Sequence, residues 1–157
     1  MRNFVKDIRI DLIIPNMKVN NRRQALEALT EKAAPVCSIS KPELLDHLIS
    51  REETANSGIG DGVAIPHIKF RQLDKPFIAL ARLDEAVAFD SIDGEPVSLI
   101  CMVLSPEQEG PLYLQRLSRI SRLLRRKELR QQLLNAKDAK AMCTAVESAL
   151  TDWAVAA

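Results

Sequence analysis

Glycine and histidine are scarce in this chain, with five Gly and two His among 157 residues. Aromatic residues make up only 4% of the sequence, too few for the stacking platform of a single-strand binder. Charge of one sign is missing as well: 22 Lys and Arg face 21 Asp and Glu, for a formal net charge of +1. That balance excludes the basic excess typical of a nucleic-acid-binding protein. The three cysteines, Cys37, Cys101 and Cys143, are odd in number, far apart and without a Cys-x-x-Cys spacing. They fit buried, reduced thiols better than a disulfide framework or a zinc site. Cys101 in particular stands inside the apolar run from Val97 to Leu104, where core packing is its expected role. The opening stretch Met1-Arg2-Asn3-Phe4-Val5-Lys6-Asp7 lacks an apolar signal-peptide region. No apolar stretch reaches membrane-spanning length. A cytoplasmic protein without membrane insertion is the resulting expectation.

What the chain does contain suffices for one domain over residues 1–157, with 46% hydrophobic residues to fill a core. Helical and strand-like segments alternate, which predicts an α/β layer architecture. Asn21 is placed to cap a helix with Ala25, Leu26, Leu29 and Ala33 on one face, ending at Pro35. Ser40-Lys41-Pro42-Glu43 is a capping box. It opens a second helix running to Arg51 or Glu53. Val63-Ala64-Ile65 reads as a short strand stopping at Pro66, and Phe77 to Leu83 as a longer one. Asp93-Gly94 marks a turn before the run from Val97 to Leu104, which is apolar as a strand buried on both faces would be. Beyond the loop at Gly110-Pro111 the chain reads as helical, with Leu114, Leu117, Ile120, Leu123 and Leu124 as its apolar stripe. Leu129, Leu133 and Leu134 continue that pattern, and Ala139 to Trp153 forms a closing helix. Arg116, Arg119, Arg122 and Arg126 fall on one face, read as solvated, with docking to an acidic partner as the alternative.

The scarce residues are concentrated. Gly58, Gly60, Gly62 and His67 all lie in Ser57-Gly58-Ile59-Gly60-Asp61-Gly62-Val63-Ala64-Ile65-Pro66-His67. A Walker loop is excluded because no Gly-Lys-Ser/Thr follows. A dinucleotide fingerprint is excluded by context, since a helix precedes the glycines and a strand follows them. Alternating glycines permit positive φ and close approach, and exposed amides in such turns can bind anions. An imidazole beside such a loop suits attack on a phosphoryl group, with Arg51 near enough in sequence to bind it. A satisfied structural histidine is the competing reading of His67. His47, the other histidine, has no partner at metal-ligand spacing and reads as structural or exposed.

The segment Arg51-Glu52-Glu53-Thr54-Ala55-Asn56-Ser57-Gly58-Ile59-Gly60-Asp61-Gly62-Val63-Ala64-Ile65-Pro66-His67 resembles the signature of the fructose/mannitol-type IIA domains of the bacterial phosphotransferase system. The similarity extends through Ala88-Phe89-Asp90-Ser91-Ile92-Asp93-Gly94 and Leu104-Ser105-Pro106-Glu107, and covers most of the chain. The resemblance implies a mixed β-sheet flanked by helices on both faces, with neither cofactor nor metal. It implies that His67 accepts a phosphoryl group from the histidine phosphocarrier protein and that Arg51 binds the phosphate. Ser57, Gly58 and Gly60 would shape the phosphate pocket. Tyr113 stands where members often carry a second active-site histidine, and unlike histidine it cannot become cationic. Regulatory target proteins or a IIB domain are the implied downstream partners. Arg22-Arg23-Gln24-Ala25-Leu26-Glu27 and the Ala88–Asp93 segment are most similar to the nitrogen-regulatory branch. The branch's sugar-transport counterpart, and a degenerate module that no longer carries phosphate, are the alternatives.

Overall fold

A computed structural model describes residues 8–156, with side chains through residue 152; the segment Met1–Asp7 and the Trp153 side chain lie outside the described residues. Six strands form one mixed sheet: β1 (Leu12–Met17), β2 (Gly58–Gly60), β3 (Val63–Ala64), β4 (His67–Phe70), β5 (Phe77–Val87) and β6 (Val97–Pro106). Five helices cover it: α1 (Arg22–Cys37), α2 (Lys41–Thr54), α3 (Leu112–Leu124), α4 (Lys127–Asn135) and α5 (Ala139–Ala156). The sheet order is β1-β5-β6-β3-β2, with β4 also paired to β6. β5 and β6 are antiparallel, whereas β1 on β5, and β3 and β4 on β6, are parallel.

The continuous apolar run of β6 explains the layering. Ile100, Met102 and Leu104 face a core shared with Leu26 and Leu29 of α1 and with Leu44 and Leu48 of α2. Leu99, Cys101 and Val103 face a second core with Ile120 and Leu123 of α3, Leu133 of α4 and Val146 of α5. Successive strand residues point to opposite faces, so only a strand covered on both sides needs apolar residues at every position. The mixed sheet between two helical layers is therefore the observed architecture.

Local signals fix most boundaries. The Asn21 side chain accepts the N–H of Gln24 at 2.8 Å and caps α1. Ser40 does the same for Glu43 in α2, with Pro42 in the first turn; such a cap is worth about 1 kcal/mol. The expected stop at Pro35 is corrected, because α1 runs on to Cys37. Proline removes only its own N–H, and the following amides still reach back: Ser38 donates to Ala34 O at 3.0 Å. Ser38, at φ 63°, ends the helix in the left-handed region.

Other expectations change as well. The strand over residues 63–65 does not end the edge at Pro66. The chain resumes as β4 and pairs His67 through Phe70 with Val103 through Pro106. Pro66 interrupts the ladder because it has no N–H, but its carbonyl still accepts from Val103 at 2.9 Å. β1, which the sequence pattern hides, is an edge strand that tolerates Pro15. Arg116 does not lie on a solvated face: it is 3% exposed and pairs with Glu109 and the Ser105 hydroxyl. Arg126 falls beyond α3, at the N-cap position of α4, where its side chain makes no capping hydrogen bond. Leu114 and Leu134, assigned to the apolar stripe, are exposed. Of the thiols only Cys101 is fully buried, and burial pushes it up to about 12.

Candidate functional site

The site lies where the end of α2, the start of β4 and the first turn of α3 converge. A cavity of about 730 Å³ there is lined by Arg51 and His47 of α2, His67 and Lys69 of β4, and Tyr113 of α3, among others. His67 opens β4 directly after Pro66, so the parallel register on β6 fixes its backbone. Its ring is fixed too. Nδ1 lies 2.9 Å from Ile65 O, and a carbonyl only accepts, so Nδ1 carries the proton. Nε2 then holds a lone pair, 3.1 Å from the Arg51 guanidinium, which donates to it.

Arg51 occupies the last turn of α2, and its sequence neighbour anchors that turn. Glu52 is 8% exposed. Its carboxylate accepts the Ser57 N–H at 3.2 Å and approaches Arg22 at 3.4 Å. Arg22 also pairs with Asp90 at 3.1 Å and donates to Phe89 O at 3.4 Å. The end of α2 is thereby tied to the loops on both sides of the sheet edge.

Tyr113 brings its ring centroid to 6.0 Å from that of His67, while Lys69 Nζ lies 4.5 Å from the Tyr113 ring centroid. Burial raises the Tyr113 phenol above its ordinary value, and the Arg51 charge partly opposes the rise. The phenol therefore stays protonated at neutral pH and can donate one hydrogen bond.

The structure brings His67, Arg51 and Tyr113 into one cavity and places Ser57, Gly58 and Gly60 elsewhere. None of these three is among the residues lining it. Ser57 is buried, its hydroxyl without a hydrogen-bond partner among the described residues. Gly58 and Gly60 belong to the β2–β3 hairpin, which packs on the turn at residues 91–94. A Cβ on Gly58 would meet Ser91 Oγ at 2.3 Å; one on Gly60, at φ 96°, would meet Asp93 Oδ2 at 3.1 Å. The amides expected to bind an anion already have acceptors, as Asp61 N–H donates to Asp93 and Gly58 N–H to Asn56, each at 2.8 Å. The Asp61 bond, with one from the Glu95 amide, holds the Asp93 carboxyl below its usual range.

The lining also includes residues that the sequence reading left out of the site, among them Lys69 and His47, the latter read there as structural or exposed. His47 precedes Arg51 by four residues and so shares its helix face. Lys69 follows His67 by two and so shares its strand face.

Comparison with known proteins places the chain in a family. Residues 8–149 match the family model of the phosphoenolpyruvate-dependent sugar phosphotransferase system, EIIA 2. A nitrogen regulatory protein of Bradyrhizobium diazoefficiens is 40% identical over 132 residues, covering 84% of this chain and 86% of that protein. A fructose-specific EIIA component of Haloferax volcanii is 38% identical over 114 residues, covering 72% and 74%. The crystal structure of the nitrogen regulatory protein IIA-Ntr from Neisseria meningitidis superimposes with a TM-score of 0.82 at 28% identity, covering 90% of this chain and 97% of that one. No helix among the described residues is long and apolar enough to cross a membrane. The chain belongs to the EIIA 2 family of the phosphoenolpyruvate-dependent sugar phosphotransferase system, whose general chemistry is phosphoryl transfer.

Proposed function

We propose that the chain is a phosphorylation-dependent regulator of the nitrogen-regulatory type, taking a phosphoryl group onto Nε2 of His67 from the histidine phosphocarrier protein. The observation that carries this reading is the pair of contacts on one imidazole: Nδ1 on Ile65 O and Nε2 facing Arg51 in an open cavity. The tautomer leaves the nucleophilic lone pair where a partner's phosphoryl group can approach.

In the transfer, the Nε2 lone pair forms the new N–P bond. The donor's N–P bond breaks, and its electron pair returns to the donor imidazole. The His67 ring keeps its Nδ1 proton and becomes cationic, a charge that the Ile65 carbonyl dipole favours. Arg51 moves from the ring nitrogen to the phosphoryl oxygens, where its planar fork can bind two of them. Loose phosphoryl transfer asks for such positioning and charge stabilisation rather than for further covalent chemistry. Tyr113 contributes a neutral donor at the same cavity. Ser57, Gly58 and Gly60 act through the backbone that leads to His67 rather than by touching phosphate.

The 40% identity to a nitrogen regulatory protein over most of both lengths supports the regulatory assignment. The 38% identity to a fructose-specific component favours a second reading, in which the chain passes its phosphoryl group to a IIB domain. Incubation with phosphoenolpyruvate, enzyme I and the phosphocarrier tests both. An acid-labile phosphoryl group lost in His67→Ala is the expected result, and an unmodified wild type beside active donors would sink the carrier readings. Rapid passage of that group to a IIB domain would replace the regulatory reading with the sugar-specific one.

A further inference from the structure

The phosphoryl chemistry above uses one imidazole, yet two line the cavity. His47 stands on α2 four residues before Arg51, and both side chains face the space in front of His67. The two rings are held alike. His47 Nδ1 lies 2.8 Å from Glu43 O, as His67 Nδ1 lies 2.9 Å from Ile65 O. Each Nδ1 therefore carries a proton on a backbone carbonyl, and each Nε2 is turned to the opposite edge of its ring. Phe70 fixes the His47 plane further, with ring centroids 5.0 Å apart.

A phosphoryl group on His67 brings three oxygens into this space with up to two negative charges. Arg51 can bind two of them by its fork, and the phenol of Tyr113 adds no charge. Lys69, the cation on β4, is drawn over the Tyr113 ring. His47 is a further cavity residue that can add a positive charge and an N–H together. We propose that His47 is a phosphate-binding residue: protonated at Nε2, it donates to a phosphoryl oxygen on His67 and makes the phosphorylated state pH-sensitive. This proposal rests on the reading of His67 as phosphoryl acceptor.

The surroundings of His47 set the sign. On its own helix, Glu43 and Asp46 are acidic and Arg51 is basic. Glu43 also accepts from Gln72 Nε2 at 2.6 Å. Facing it are His67, Lys69 and Arg71 from β4 and the turn after it, Glu107 beyond β6, and Tyr113 from α3. These groups are present in both phosphorylation states. The phosphoryl group is the added charge, so it favours the cationic ring, and the ring favours it in return.

The test compares full-length wild type with His47→Ala and His47→Lys, each equilibrated with the phosphorylated phosphocarrier from about pH 5.5 to about pH 8.5. The readout is the partition of phosphoryl between donor and chain, taken as a ratio to wild type so that effects common to all variants cancel. His47→Ala is expected to hold roughly tenfold less phosphoryl than wild type at the acid end, and to equal it at the alkaline end. His47→Lys, charged throughout, restores wild-type occupancy at the acid end and matches or exceeds it at the alkaline end. A ratio for His47→Ala that does not vary with pH, or a Lys variant as poor as Ala, overturns the role of His47. That failure is distinct from failure of the underlying reading, in which wild type itself takes no phosphoryl group.

Discussion

The glycine hairpin at residues 58–64 and the cavity around His67 are neighbours in sequence and opposites in construction. In the hairpin the polar groups are spent on one another: Asp93 takes the Asp61 and Glu95 amides, and Asn56 takes that of Gly58. Small residues there allow close packing on the turn at residues 91–94. Around His67 only one edge of the imidazole is satisfied by backbone, and the other is held by a side chain that can move. The first region stores its polar capacity in the fold, while the second keeps it available. An Arg side chain has several rotatable bonds and an exposed head, whereas an amide in a hairpin has no alternative partner without unfolding.

The sharpest break of this contrast comes from His67→Ala. It is expected to remove phosphorylation entirely while the chain still folds, since the half-buried ring gives up one backbone hydrogen bond, worth about 1 kcal/mol. Retained acid-labile phosphate in that variant would locate the acceptor elsewhere. Next in size is Arg51→Ala, expected to slow phosphoryl uptake by roughly 10²-fold with the fold intact; a rate equal to wild type in stopped-flow transfer would remove Arg51 from the site. The hairpin should respond in the opposite currency. Gly60→Ala forces a side chain into φ 96° against Asp93, at a cost of about 1–3 kcal/mol. Thermal denaturation should show the loss, with phosphoryl transfer unimpaired below the transition. A collapse of transfer at unchanged stability would join the two regions into one functional unit. The smallest effect belongs to Asp93→Asn. Because hydrogen bonds from Asp61 and Glu95 lower the carboxyl in the folded state, its stabilising contribution is present above the unfolded value of about 3.9 and lost as pH falls through the folded one. Stability curves of wild type and Asp93→Asn should therefore differ at neutral pH and converge in acid.

Much of the fold was legible because its signals are local. Asn21 and Ser40 announce their helices by capping, and the run from Val97 to Leu104 announces a strand covered on both faces. Pro35 misled because proline forbids one hydrogen bond, not a helix end; Pro66 misled because a lost ladder bond does not turn the chain away from its partner strand. β1 carried no legible pattern, since its pairing with β5 joins residues 67 positions apart, as in Leu12 with Ala79. Arg116 looked solvated because helical spacing identifies a shared face, and only the loop carrying Glu109 determines what covers it.

At the site the division is similar. By itself the sequence determined a phosphotransferase IIA family, a histidine after proline, and an arginine at the end of a capped helix. These features are written in contiguous residues, where backbone chemistry constrains each position. Tertiary structure alone decided that the glycines serve the hairpin, that His67 exposes Nε2 and not Nδ1, and that His47 and Lys69 share its cavity. Each of those outcomes depends on which atom of a distant segment arrives within hydrogen-bonding or contact range, and such distances are set only when the sheet and its two helical layers close.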